Sequence, residues 1–162
     1  MSRDQLVHDW VATHFPGQSV IITPASADAS FRRYFRLAFP DGATRILMDA
    51  PPDKEDCRPF VKVAALLADA GLAAPRILEQ DFDQGFLVLT DLGRIGYLEA
   101  LQADPTLADA LMRPVLDILV QWQSASRPGI LPPYDQALLR RELDLFPEWF
   151  VGRHLGHALS DD

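Results

Sequence analysis

Apolar positions in the first fifteen residues recur at helical spacing. Leu6, Val7, Trp10, Val11 and Phe15 form one stripe behind a Ser2/Gln5 pair with capping-box spacing. Pro16-Gly17 predicts the stop of that helix, and "SVIIT" at 19–23 predicts a short strand. From Phe31 to Phe39 the period falls to two. Phe31, Arg33, Phe35, Leu37 and Phe39 point one way, and Arg32, Tyr34 and Arg36 the other. "PDG" at 40–42 predicts a turn, "ATRILMDA" the returning strand, and Pro51-Pro52 its end.

A helical pattern follows from about Asp56, a candidate N-cap, to Gly71 as the C′ residue, with Phe60, Val63, Ala64 and Leu67 as its inner face. "PRILEQ" and "GFLVLT" predict a second hairpin across "DFDQG". After "TDLG" the character becomes helical. Asp104-Pro105 opens a stripe of Leu107, Leu111, Val115, Ile118, Leu119 and Trp122, and Asp135 is placed to cap a helix containing "LLRRELDLFPEWF". Pro114 and Pro147 are expected to kink or divide these helices. The predicted fold class is α+β: a mainly antiparallel sheet with helices packed against it, then helices alone.

Composition narrows the function classes. Hydrophobic residues make up 48% of the 162, enough for a packed core, and the formal net charge of −8 has the wrong sign for a phosphate-backbone partner. The single cysteine, Cys57, forms no internal disulfide, and the chain contains no secretory h-region or membrane-length apolar run. The expectation is a cytoplasmic protein with neither a nucleic-acid nor a membrane partner.

Against that acidic background, "SADASFRRYFRL" at 26–37 concentrates small residues and arginines in one hairpin. Small residues let backbone N–H groups approach an anion, and nearby guanidiniums supply charge, so the segment is a candidate phosphate cover. An exposed, arginine-bearing strand pair is the plainer structural reading of the same residues. No Walker A sequence or strict G-x-G-x-x-G is present. "DFDQG" at 81–85 mimics a metal-binding Asp-Phe-x-Asp but reads as a turn. His154 and His157 read as two solvent-facing histidines.

Taken together, "SADASFRRYFRL", "ILMDAPP", "GFLVLTDLG" and "LLRRELDLFPEWF" resemble the aminoglycoside phosphotransferase family, which has a protein-kinase-like fold. Within it they look most like the bacterial N-acetylmuramate/N-acetylglucosamine kinase branch, which phosphorylates the anomeric hydroxyl of an amino sugar in cell-wall recycling. The resemblance implies a nucleotide-covering lobe and hinge over residues 1–93, and the beginning of a helical second lobe over 94–162. It implies ATP and Mg2+ as cofactors and a small-molecule sugar as partner. Ser26, Asp28, Ser30, Arg32 and Arg33 would belong to the loop over the phosphates, and Leu89, Thr90 and Asp91 to the adenine-binding hinge. Ile46 and Leu47 would help to line the base pocket, and Glu142, Asp144 and Trp149 would contact the sugar.

Two departures accompany the resemblance. Met48-Asp49 occupies the region where many relatives carry a phosphate-gripping lysine, so Arg32 or Arg33 is expected to take over that charge. The chain has no H-x-D followed by Asn, and contains no asparagine at all, so the resemblance assigns it no catalytic base and no metal ligand. The residues present are expected to be the first part of a sugar kinase, without turnover by themselves. The alternatives are a phosphotransferase of the same family acting on an aminoglycoside or another small alcohol, and a non-catalytic nucleotide-binding module. Leu145, Phe146, Trp149 and Phe150 are expected to pack on the remainder of the second lobe and, uncovered here, to form an exposed patch able to promote association; an interaction surface is the other reading.

Overall fold

The computed structural model describes residues 2–27 and 30–158. They fall into two compact units, Met1–Ala125 and Ser126–Asp162. In the first, helix α1 (Arg3–His14) starts at Ser2, whose hydroxyl accepts the Gln5 N–H. Strands β1 (Ile21–Ala27), β2 (Arg33–Ala38) and β3 (Thr44–Asp49) follow, then helix α2 (Arg58–Asp69), and strands β4 (Ile77–Asp81) and β5 (Phe86–Thr90). The strands form one antiparallel sheet in the order β1-β2-β3-β5-β4.

Side-chain alternation gives this sheet two different faces. Phe35 and Leu37 of β2, Leu47 of β3, and Phe86 and Val88 of β5 pack with Val7, Trp10, Val11 and Phe15 of the α1 region. Met48, Leu87 and Leu89 point to the other face, where Ala50, Cys57, Phe60, Val61, Tyr34 and Ile46 join them. The predicted helix stripe and the period-two reading of β2 therefore hold for the buried positions. Phe31 departs from the pattern: it precedes β2 and is exposed.

The first strand is longer than "SVIIT" suggests. It runs on through Pro24 to Ala27, with an irregularity in register between Pro24 and Ser26. Proline is tolerated because β1 is an edge strand, with ladder partners on one side alone. The β2–β3 turn is tied by Phe39 N–H to Ala43 O at 2.9 Å and by Ala43 N–H to Asp41 Oδ1 at 2.9 Å. The β4–β5 turn requires its glycine. Gly85 has φ +73°, and a Cβ there would lie 1.9 Å from Ala50 O, whose own N–H donates to Gly85 O at 2.8 Å.

In α2 the inner face is partly buried at Phe60, Val61, Ala64 and Leu67, whereas Val63, expected inside, is exposed. Asp56 accepts the Arg58 N–H at 3.0 Å although Cys57 is the formal cap, and Gly71 ends the helix with φ +73°. Beyond β5 come α3 (Tyr97–Ala103), a 3-10 turn at Pro105–Leu107 capped by Asp104, and α4 (Ala108–Ala125). The single long helix expected from Asp104 is thus preceded by a separate α3. Pro114 lies inside α4 without dividing it. Among the described residues, no helix is long and apolar enough to cross a membrane.

In the second unit, α5 (Gln136–Leu145) is capped by Asp135, whose carboxylate accepts the Leu138 N–H at 2.9 Å. It passes at Phe146-Pro147 into a π-helical segment, Phe146–His154. Pro147 has no N–H to continue the α-ladder, so the change of helix type falls where the sequence places a division.

Candidate functional site

On the face of the sheet turned away from α1, a cleft of about 690 Å³ opens beneath β1 and β2 and beside the chain leaving β5. Its apolar part is made by Ala25, Ile46, Phe60 and Leu89, and its polar end by Thr90, Asp91, Gly93 and Gly96. Tyr34 and Arg36 reach it because they share one parity on β2, while Phe35 and Leu37 take the other. The size and the mix of apolar walls with a few polar groups suit a small-molecule site.

The polar end is organised by one ion pair. Arg36 Nε donates to Asp91 Oδ2 at 2.6 Å, and its Nη2 donates to Asp91 Oδ1 at 3.1 Å and to Gly93 O at 2.7 Å. Asp91 Oδ1 also accepts the Gly93 N–H at 2.9 Å. Both charged side chains are nearly buried, 9% and 6% exposed, which explains why they are paired. The Arg36 hydrogen bonds hold the Asp91 carboxyl well below the usual carboxylate range, overcoming the opposing effect of burial. The same bond to Asp91 raises Arg36 above the ordinary guanidinium value. A carboxylate held in this way is a poor proton acceptor, so Asp91 fixes geometry rather than moving protons. Beside it, the Thr90 N–H is given to Arg76 O at 2.9 Å, and the Thr90 hydroxyl accepts the Arg76 N–H at 2.9 Å.

The expected site residues divide between two places. Ser26, Ile46, Leu89, Thr90 and Asp91 all line the cleft. Ser26 is part of β1, opposite Tyr34, rather than part of a free loop. Ser30 lies between the strands, and its hydroxyl accepts the Arg32 N–H at 3.1 Å. Asp28 lies outside the described residues. Leu47, expected in the base pocket, is instead buried in the α1 core, because it alternates with Ile46 along β3.

Arg33 shares the face of Phe35 and Leu37. Its Nη2 lies 2.6 Å from Asp49 Oδ2 and its Nη1 2.5 Å from Asp4 Oδ1. Arg3 Nε donates to the other Asp49 oxygen at 2.7 Å and its guanidinium covers the Phe86 ring at 4.6 Å. Asp49 is fully buried between the two arginines. The "MDA" aspartate therefore joins α1 to the sheet. Arg32 is placed differently, outside the cleft lining: its Nε lies 3.8 Å from Glu55 Oε2 and is buried with no hydrogen-bond partner among the described residues. A buried guanidinium N–H without a hydrogen bond is costly.

The "DFDQG" aspartate closes the turn. Asp81 accepts the Gln84 N–H at 3.0 Å and the Trp10 indole N–H at 2.8 Å. Burial alone would raise its carboxyl, but these bonds together hold it below the ordinary value. In the second unit, Glu142 and Asp144 sit on α5, the latter paired with Arg140 at 2.9 Å. Trp149 is half exposed under the Arg153 guanidinium, and Leu145, Phe146 and Phe150 are also exposed. His154 and His157 are both exposed, as expected of them.

Sequence reading missed the Arg36–Asp91 pair. It named Asp91 for its backbone and Arg36 only as one of three arginines. A charged residue flanked by apolar neighbours on a half-buried strand, with one aspartate at the end of the apolar strand "FLVLTD", was the available signal.

Residues 21–162 match the model of the phosphotransferase enzyme family. An N-acetylmuramate/N-acetylglucosamine kinase of Pseudomonas aeruginosa is 56% identical over 141 residues, 87% of this chain and 41% of the relative. Its counterpart of the same name in Pseudomonas putida is 50% identical over 140 residues, 86% of this chain and 40% of the relative. The one in Neisseria meningitidis serogroup B is 43% identical over 162 residues, 99% of this chain and 48% of the relative. The chain spans less than half the length of these curated relatives.

Proposed function

The chain belongs to the phosphotransferase enzyme family, and from that premise we propose that residues 1–93, within the first unit, are the nucleotide-holding lobe and hinge of an ATP-dependent amino-sugar kinase. The intact enzyme would transfer a phosphoryl group to the anomeric hydroxyl of N-acetylmuramate or N-acetylglucosamine in the cytoplasm. The observation that carries this reading is the cleft itself. Apolar Ile46 and Leu89 form walls suited to a flat base, with the Thr90–Gly93 backbone at one end and the β1–β2 hairpin above. The relatives, N-acetylmuramate/N-acetylglucosamine kinases, support this choice of acceptor.

The residues present fit the nucleotide better than the metal. Ala25 and Ser26 are small enough to let the backbone approach a ligand, and Arg32, facing Glu55 at 3.8 Å, has a buried Nε that lacks a hydrogen bond among the described residues and that a phosphate would satisfy. We assign the phosphate-facing charge to Arg32 rather than Arg33, whose guanidinium is held by Asp49 and Asp4. When bound, ATP would supply the phosphoryl group, and Mg2+ the charge neutralisation of its oxygens. Base and metal ligands are assigned outside these residues. Here the chain's own part is to bind and orient: the cleft walls exclude water from the base, and the clamped end fixes the edge beside it. Glu142, Asp144 and Trp149 remain the residues proposed to meet the sugar.

Incubating the intact enzyme with ATP, Mg2+ and each sugar, and following the product by phosphorus NMR, tests the reading. A sugar 1-phosphate is the expected product. Phosphorylation of an aminoglycoside or simple alcohol in its place would move the activity to that acceptor, and ATP left unchanged with every acceptor would overturn the reading.

A further inference from the structure

Arg36 does more than neutralise a buried carboxylate. It starts from β2, the strand over the cleft, and its three hydrogen bonds all end on the chain just beyond β5, at Asp91 and Gly93. Along the sheet these segments are not neighbours, since β3 lies between β2 and β5. The guanidinium thus spans a strand to join the cleft's roof to its end wall. It is the planar fork that permits this, with Nε and Nη2 together meeting both carboxylate oxygens. Thr90 is held by Arg76, but Gly93 has φ +108° and sits in exposed chain, and its carbonyl is tied to the sheet through Arg36. Both ends of the clamp line the cleft.

From this geometry we infer that Arg36 is a positioning residue for the ligand's base, acting through Asp91 and Gly93 to hold the end wall in its binding shape. The inference rests on the nucleotide reading above and deepens it. It assigns Arg36 to the nucleoside part of the ligand and leaves the phosphates to Arg32. A lysine at 36 would keep the charge but could not make the two-pronged contact, so it should not substitute.

The test is the affinity of the chain for adenosine and for ATP, by calorimetry, in the wild type, Arg36→Lys, Asp91→Asn and the double variant. The clamp predicts that each single variant weakens adenosine and ATP by the same factor, about tenfold or more, and that the double variant is no weaker than either. Hydrogen exchange without ligand should accelerate at 91–96 in Arg36→Lys and stay unchanged in α1, which separates a local loosening from global unfolding. A folded Arg36→Lys that binds adenosine as the wild type does would overturn the clamp while leaving the nucleotide reading intact. So would additive losses in the double variant. A wild-type chain that binds neither ligand would overturn the nucleotide reading, and the clamp with it.

Discussion

Arg33 Nη2 lies 2.6 Å from Asp49 Oδ2, on the face of the sheet that packs against α1 and away from the cleft. That contact separates two neighbouring arginines by role. Arg33 belongs to a buried charge group with Arg3 and Asp49, while Arg32 faces Glu55 and keeps a buried Nε without a hydrogen-bond partner among the described residues.

Removing the shared carboxylate should therefore destabilise without changing ligand binding. Asp49→Asn removes the shared charge and leaves one acceptor oxygen for two guanidiniums, with an NH2 facing the other. Because both arginines are partly exposed and can rehydrate, the loss should be about 2–3 kcal/mol rather than more. Urea unfolding measures it. A loss below about 0.5 kcal/mol would mean that the α1 core holds the sheet without this group. Arg33→Ala, measured in the folded range, should leave the ATP affinity unchanged.

Arg32→Ala should weaken ATP by about tenfold and leave adenosine unaffected, because the side chain is assigned to phosphate. The ATP affinity of the wild type should also fall with salt more steeply than that of the variant. Equal losses for adenosine and ATP would instead place Arg32 at the base.

The pH dependence follows from Asp91. Its folded carboxyl is more acidic than the unfolded one, so below about pH 4 the unfolded chain binds more protons than the folded chain. The stabilisation is fully present above that value and is lost as pH falls towards the folded value. Melting temperatures from pH 7 down to strongly acid conditions should show this fall, and Asp91→Asn should flatten it. An unchanged slope in the variant would assign the acid sensitivity to other carboxylates, with Asp81, also lowered, the next to test.

Gly85→Ala should cost more than about 2 kcal/mol, since its Cβ would meet the Ala50 carbonyl oxygen at 1.9 Å. Gly42 has a similar positive φ but open space around it, so Gly42→Ala should cost only about 1 kcal/mol. Denaturant midpoints of the two variants compare strain with strain plus collision. Equal losses would remove the close approach as a cause.

Much of the fold was legible where one period dominated. The α1 stripe, the alternation in β2 and the two hairpins follow from apolar spacing and turn residues. β1 was cut short because Pro24 reads as a strand breaker, and only sheet order reveals that it lies on an edge. α3 was hidden because "YLEALQA" is too short to show a period. For the site, the family resemblance placed Ser26, Ile46 and the 89–91 segment, and these line the cleft. It could not separate Arg32 from Arg33, nor Ile46 from Leu47, because which face turns towards α1 is a tertiary fact. The Arg36–Asp91 partnership joins positions 55 residues apart, and no local pattern encodes that distance.

The central claim is that the cleft between the β1–β2 hairpin and the 89–96 segment holds a nucleotide. Hydrogen exchange of the chain with and without ATP, read amide by amide, tests it most directly. The account predicts added protection at Tyr34 and across 89–96, with β4 and the α1 face unchanged. No added protection at saturating ATP, or protection confined to the far side of the sheet, would contradict it.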